Sequence, residues 1–188
     1  MLIAGFLILL LIGFWVVGAR NRLMRLRQDV AGALPPLALQ LRKRHVLARH
    51  WSQSLHRRDA DAAALAPSIE LVLVAESEAA GALNAVQTRP IGTPDQMRRL
   101  AAAEEALAAA LATLTETLQT QSAKDAAPGD DLRQRLEQLH PPLDYARQAY
   151  NAAVQTHNAA LRVFPTTLVA STLRLQPAVL LPRLSKAG

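Results

Sequence analysis

Five histidines, His45, His50, His56, His140 and His157, are the side chains best suited to bind a metal or move a proton. No two are four residues apart, the spacing that sets two imidazoles on one helical face as ligands, so they are expected to be structural or solvated and no metal site is expected. The carboxylates are no more promising. Asp59 and Asp61 fall in a polar connection, Glu104 and Glu105 are neighbours on what reads as an exposed helix, and Glu76 and Glu78 diverge at a spacing of two. None forms an acid/base pair that spacing alone would support. The chain has no cysteine, which removes disulfides, thiolate ligands and cysteine nucleophiles together. None of its eight glycines belongs to a phosphate loop, a GxSxG elbow or a dinucleotide fingerprint. No catalytic residue, no cofactor-binding residue and no cofactor is therefore expected, and the chain does not read as an enzyme.

Basic residues are the next candidates. Residues 20–58 hold ten Lys or Arg against one acid, Asp29, whereas residues 59–188 hold eleven bases and fourteen acids. Arg20, Arg22, Arg25 and Arg27 follow an apolar run and suit a membrane-surface flank. Arg42, Lys43, Arg44 and Arg49 form a second group. Arg44 is 24 residues beyond Arg20, roughly 36 Å along a straight helix, and charge is screened within about 8 Å at physiological salt. The second group cannot feel the same leaflet. It is a candidate partner-contact patch, weighed against a solvated helix face, and phosphate of nucleic acid is one partner it could take.

In residues 146–170, Tyr150, His157 and Phe164 recur every seven positions, alternating with Ala146, Ala153 and Ala160. Bulky and small residues thus alternate along one seam, which reads as packing before Pro165 ends the run. Asn151 and Asn158 flank the seam. Their amides are expected to bond across helices or cap a neighbour's turn, specifying register.

These residues need helices to position them. Alanine and leucine dominate and aromatics are few, so the chain is expected to be all-α. Residues 1–19 carry no charge and, at about 1.5 Å per residue, reach roughly across a bilayer core. A transmembrane anchor is expected. A cleaved signal peptide is the rival, but nothing basic precedes the apolar run. The arginine flank then predicts a single-pass protein of the cell membrane, N-terminus outside and the remainder cytoplasmic. Apolar stripes follow: Leu23, Leu26, Val30, Leu34, Leu37, Leu41, Leu47, Trp51 and Leu55, with Pro35-Pro36 expected to kink or split their helix; then Ile69, Val72, Leu73, Ala80, Leu83 and Val86, after a start near Pro67. Thr93 to Gln96 has capping-box spacing before Met97, Leu100, Leu107, Leu111, Leu114 and Leu118. A last seam runs from Leu132 to Phe164 in steps of four and three, interrupted by Pro141-Pro142, with Asp130 or Asp131 as a cap. The predicted organisation is an anchor at 1–19, an antiparallel four-helix bundle with long first and last helices at 20–165, and an extended or disordered, peripheral tail at 166–188.

The residues Ala146-Arg147, Tyr150-Asn151, Val154, Asn158, Phe164-Pro165, Leu168 and Ala170 resemble the terminal-helix signature of the LemA family, AR..YN..V..YN....FP..L.A. At the front, Asn21, Leu23, Leu26, Arg27 and Val30, then residues 40–45, resemble that family's N..L..LR..V and QL.RRH elements. His157 stands where the family has its second tyrosine. The resemblance implies a membrane-anchored helical bundle that acts as a scaffold or adaptor through a protein partner, and an oligomer is compatible with it. A regulatory accessory subunit of a membrane-bound protease or transporter is the alternative. Nucleic-acid binding through the basic first helix is the weakest of the three.

Overall fold

The computed structural model describes residues 2–58, 62–88, 91–121 and 128–183. Among them the chain is all-helical, with five helices and no strand: α1 Leu2–Arg58, α2 Ala62–Gln87, α3 Pro94–Gln121, α4 Pro128–Arg162 and α5 Thr166–Thr172. α1 contacts α2, α4 and α5; α2 contacts α3; α3 contacts α4.

The expected kinks at the proline pairs do not divide the helices. α1 runs through Pro35 and Pro36, and α4 through Pro141 and Pro142. All four prolines are exposed, so the carbonyls that lose a helical donor lie on the side where water replaces it. α2 begins at Ala62, five residues ahead of the Pro67 start. Asp130 and Asp131 lie within α4 instead of capping it, and Asp131 instead pairs with Arg135. The predicted loop preceding α4 falls largely outside the described residues.

α3 starts as its capping box requires. The Thr93 N–H donates to Gln96 Oε1 at 2.9 Å and the Gln96 N–H donates to Thr93 Oγ1 at 3.2 Å. Gln96 Nε2 also donates to the Ala85 carbonyl, which accepts from the Thr88 hydroxyl as well, joining the start of α3 to the end of α2. Gly92 makes this turn close: a Cβ there would lie 2.9 Å from Val86 Cγ1.

Side chains bury in three clusters. Ala19 and Leu23 of α1 join Ala160, Leu161, Val169 and Ala170. Val30, Leu34, Leu37 and Leu41 join residues of α2, α3 and α4 together with Ala178 and Leu181. Ala48, Trp51 and Leu55 join the Ile69–Val72, Leu107–Leu118 and Leu132–Leu136 parts of the other helices. Before Ala19 the large apolar side chains of α1, from Ile3 to Val17, are exposed. This one helix is long and apolar enough to cross a membrane.

Two expectations about the chain end are corrected. The segment after Pro165 is neither wholly extended nor peripheral: residues 166–172 form α5, and Ala178 and Leu181 are buried. Phe164 is not in the seam. α4 stops at Arg162, so the seven-residue period has no helix to act through, and Phe164 is 77% exposed while Tyr150 and His157 are each 2% exposed. Tyr150→Ala should therefore cost about 3–5 kcal/mol by cavity formation, and Phe164→Ala about 0.5 kcal/mol or less, as for a surface site. Thermal unfolding of the detergent-solubilised chain measures both, and equal losses would contradict this division.

Candidate functional site

Along α4 Tyr150 packs in the cluster of Val30 to Leu41, while the amides of Asn151 and Asn158 reach the C-terminal segment instead of a neighbouring helix. Asn151 Nδ2 donates to the Leu181 carbonyl at 2.8 Å, and its Oδ1 accepts from the Leu181 N–H at 2.9 Å. Asn158 does the same with Ala178, at 2.8 and 2.9 Å. A carboxamide carries the same donor and acceptor as a peptide group, so each asparagine pairs with the tail much as an adjacent strand would.

The spacing of the two clamps follows from backbone geometry. Seven helical residues advance about 10.5 Å, and three extended residues advance roughly 10 Å. Asn151 and Asn158 are seven apart; Leu181 and Ala178 are three apart. Pro177 and Pro182 flank the clamped pair, and Pro182 biases Leu181 toward extended backbone. Between the clamps the Tyr150 hydroxyl donates to the Val179 carbonyl at 3.1 Å. Burial pushes the Tyr150 pKa up to about 12, so this donor keeps its proton.

His157 lies beneath the same segment with Nδ1 buried and unpartnered among the described residues. Burial lowers its pKa, a hydrogen bond to the Gln176 backbone raises it, and the Arg27 charge lowers it further. The net shift is downward. His157 lines a cavity of about 290 Å³ with Arg27, Thr93, Arg174 and Gln176.

The basic patch does not form one surface. Arg44 is buried, with Nη1 3.4 Å from Glu104 Oε2, and His45 Nε2 lies 2.6 Å from Glu104 Oε1. Burial pulls the Arg44 pKa below its ordinary value while Glu104 and Glu105 push it back up. Arg49 makes a forked pair with buried Glu76, with bonds of 2.8 to 2.9 Å. Arg42 bonds Gln87. Lys43 is exposed and, with Val46, Leu47, His50, Arg135 and Leu139, lines a groove of about 340 Å³. The flank of Arg20, Arg22, Arg25 and Arg27 is exposed on α1.

Glu104 is thus not on an exposed face, and with Glu76 it is what sequence reasoning missed. The signal was present as gaps: Glu104 occupies the seam position between Leu100 and Leu107, and Glu76 the position between Val72 and Ala79. Among the described residues no three His, Asp or Glu side chains gather as a metal-binding group.

The sequence pattern of the LemA family matches residues 52–185, which contain α2 through the clamped segment. The chain belongs to the LemA family. The resemblance at residues 21–45 lies ahead of this match and rests on the residues themselves. No curated protein and no solved structure matches the chain significantly. In this LemA protein the paired motif of α4 holds the tail: Tyr150, Asn151 and Asn158 each bond its backbone, and Asn151 and Asn158 each bond it twice.

Replacing Asn151 or Asn158 by Ala strands an N–H and a C=O of the tail, at about 1–3 kcal/mol each. Amide exchange at Leu181 should accelerate in Asn151→Ala, and at Ala178 in Asn158→Ala. Unchanged protection at both amides would refute the clamp. His157 supplies a pH dependence. Its folded pKa lies below the unfolded value of about 6.5, so its contribution to stability is complete above that pH and declines as pH falls through the lowered folded value. Between pH 7.5 and 5 the melting temperature should drop less in His157→Gln than in the parent chain.

Proposed function

We propose that this LemA protein is a single-pass membrane scaffold or adaptor without catalytic activity, whose four long helices form an antiparallel bundle on the cytoplasmic side. The observation that carries the reading is the continuity of α1. One helix presents exposed apolar side chains on all faces before Ala19 and a buried stripe from Ala19 to Leu55. A helix that is apolar all round needs an apolar surrounding, and beyond Ala19 the other helices supply it.

The antiparallel arrangement is supported by the clusters: early residues of α1 meet late residues of α4, and late residues of α1 meet early residues of α4. The short connection from α2 to α3 fits the same arrangement. The non-catalytic reading is supported by how polar groups are used. Glu76, Glu104, Asn151 and Asn158 each bond protein groups, and those bonds position helices and tail. Arg44 and Arg49 face carboxylates, which weakens the case for phosphate binding along the first helix.

Topology is the direct test. With Arg20, Arg22, Arg25 and Arg27 retained on the cytoplasmic side, a reporter fused after Gly188 should be active only if it functions in the cytoplasm. Activity of a periplasm-specific reporter there would reverse the orientation. Loss of residues 1–19 from the mature chain would replace the anchor by a cleaved leader.

A further inference from the structure

We infer that the corner between α4 and α5 is a second membrane contact: Val163, Phe164 and Leu168 enter the headgroup–acyl boundary of the bilayer that α1 crosses. This rests on the anchor reading of α1, and the occupant is the lipid surface itself.

The placement follows from one cluster. Ala19 is the last residue of the charge-free run, and it packs with Leu23 against Ala160, Leu161, Val169 and Ala170. Ala19 and Leu23 are separated by roughly 6 Å of helix rise. The cluster therefore lies within about one turn of the end of the membrane segment. Phe164 is three residues beyond Leu161, at most about 11 Å of chain. α5 turns Val169 and Ala170 onto α1 and leaves Val163, Phe164 and Leu168 outward, beside the hydroxyl-bearing Thr167, Ser171 and Thr172.

Val163 is 58% exposed, Phe164 77% and Leu168 60%. An apolar corner at this level meets lipid, whereas Val46, 68% exposed on α1, is roughly 40 Å further from the membrane segment. The charges around the corner match an anionic surface. Arg20, Arg22 and Arg25 on α1 and Arg162 on α4 are exposed, and among the described residues none is ion-paired or hydrogen-bonded through its side chain. Apolar side chains beneath a rim of arginines are the pattern of an interfacial element that buries about 5–10 Å into the boundary. The contact would hold the bundle against the leaflet and restrain its tilt about the anchor.

The chain contains no cysteine, so single nitroxide labels can be placed without background. Leu9→Cys, Val46→Cys, Phe164→Cys and Leu168→Cys replace exposed side chains and are made in the full-length protein, reconstituted into vesicles of phosphatidylcholine and phosphatidylglycerol. Power saturation with oxygen and with a water-soluble nickel chelate reads depth at each label. The expected result is a high oxygen-to-nickel ratio at 9, a low one at 46, and values at 164 and 168 between them. Labels at 164 and 168 as nickel-accessible as 46, with 9 still in lipid, would overturn the contact while leaving the anchor intact. A label at 9 that is itself nickel-accessible would remove the anchor, and the contact with it.

Discussion

Because α1 contributes side chains to all three buried clusters, the axial position of every other element is fixed by distance along one helix. Ala19 and Leu23 set the level of the α4–α5 corner, Val30 to Leu41 the level of the clamp, and Ala48 to Leu55 the level of the α2, α3 and early α4 core. An interruption of α1 would uncouple these levels. Two interior prolines cost on the order of 6 kcal/mol in helix formation. Burial of Val30, Leu34, Leu37 and Leu41 around them supplies on the order of 6–12 kcal/mol. The prolines are tolerated on the exposed side because the seam on the opposite side is unbroken.

Polar groups in the seams are arranged by the same constraint. The apolar stripe of α1 breaks at Arg44 and His45, that of α3 at Glu104 and that of α2 at Glu76. Read one helix at a time, each break is only a missing leucine, which is why the sequence supports a solvated or partner-facing patch as readily as a buried one. In the folded chain the breaks at Arg44 and His45 meet the break at Glu104, and Glu76 is met by Arg49 from the edge of the α1 stripe. A one-turn slip of α3 would set a leucine against Arg44 and leave Glu104 buried without a partner, an outcome worth several kcal/mol against the slipped state. The ion pairs thus discriminate between registers more than they add net stability.

Helices and stripes were legible because period reports burial directly. The Met97 to Leu118 stripe is buried at every position named from spacing, and the Thr93–Gln96 box caps α3. The tail was not legible for a physical reason: α4 holds it through backbone N–H and C=O groups, which every residue but proline carries in full. Only small Ala178 and apolar Leu181, three apart between two prolines, leave a trace in sequence. Phe164 failed in the opposite way. It continued a period whose helix had already ended, and periodicity contains no term for where a helix stops.

The clamp and the corner belong to one stretch of chain. After α5, Leu173 and Leu175 pack against the cluster of Ala19 and Leu23, and Ala178 and Leu181 enter the cluster of Val30 to Leu41. The last segment therefore bridges two of the three levels that α1 defines, bonded to α4 at Ala178, Val179 and Leu181. Sliding α4 along α1 at one level would have to be matched at the other, since the tail between them is extended and has little length to yield. Asn151 and Asn158 make that coupling specific: a helix rise of seven residues and an extended span of three agree only in one register, so the chain's end fixes the axial position of the helix that precedes it.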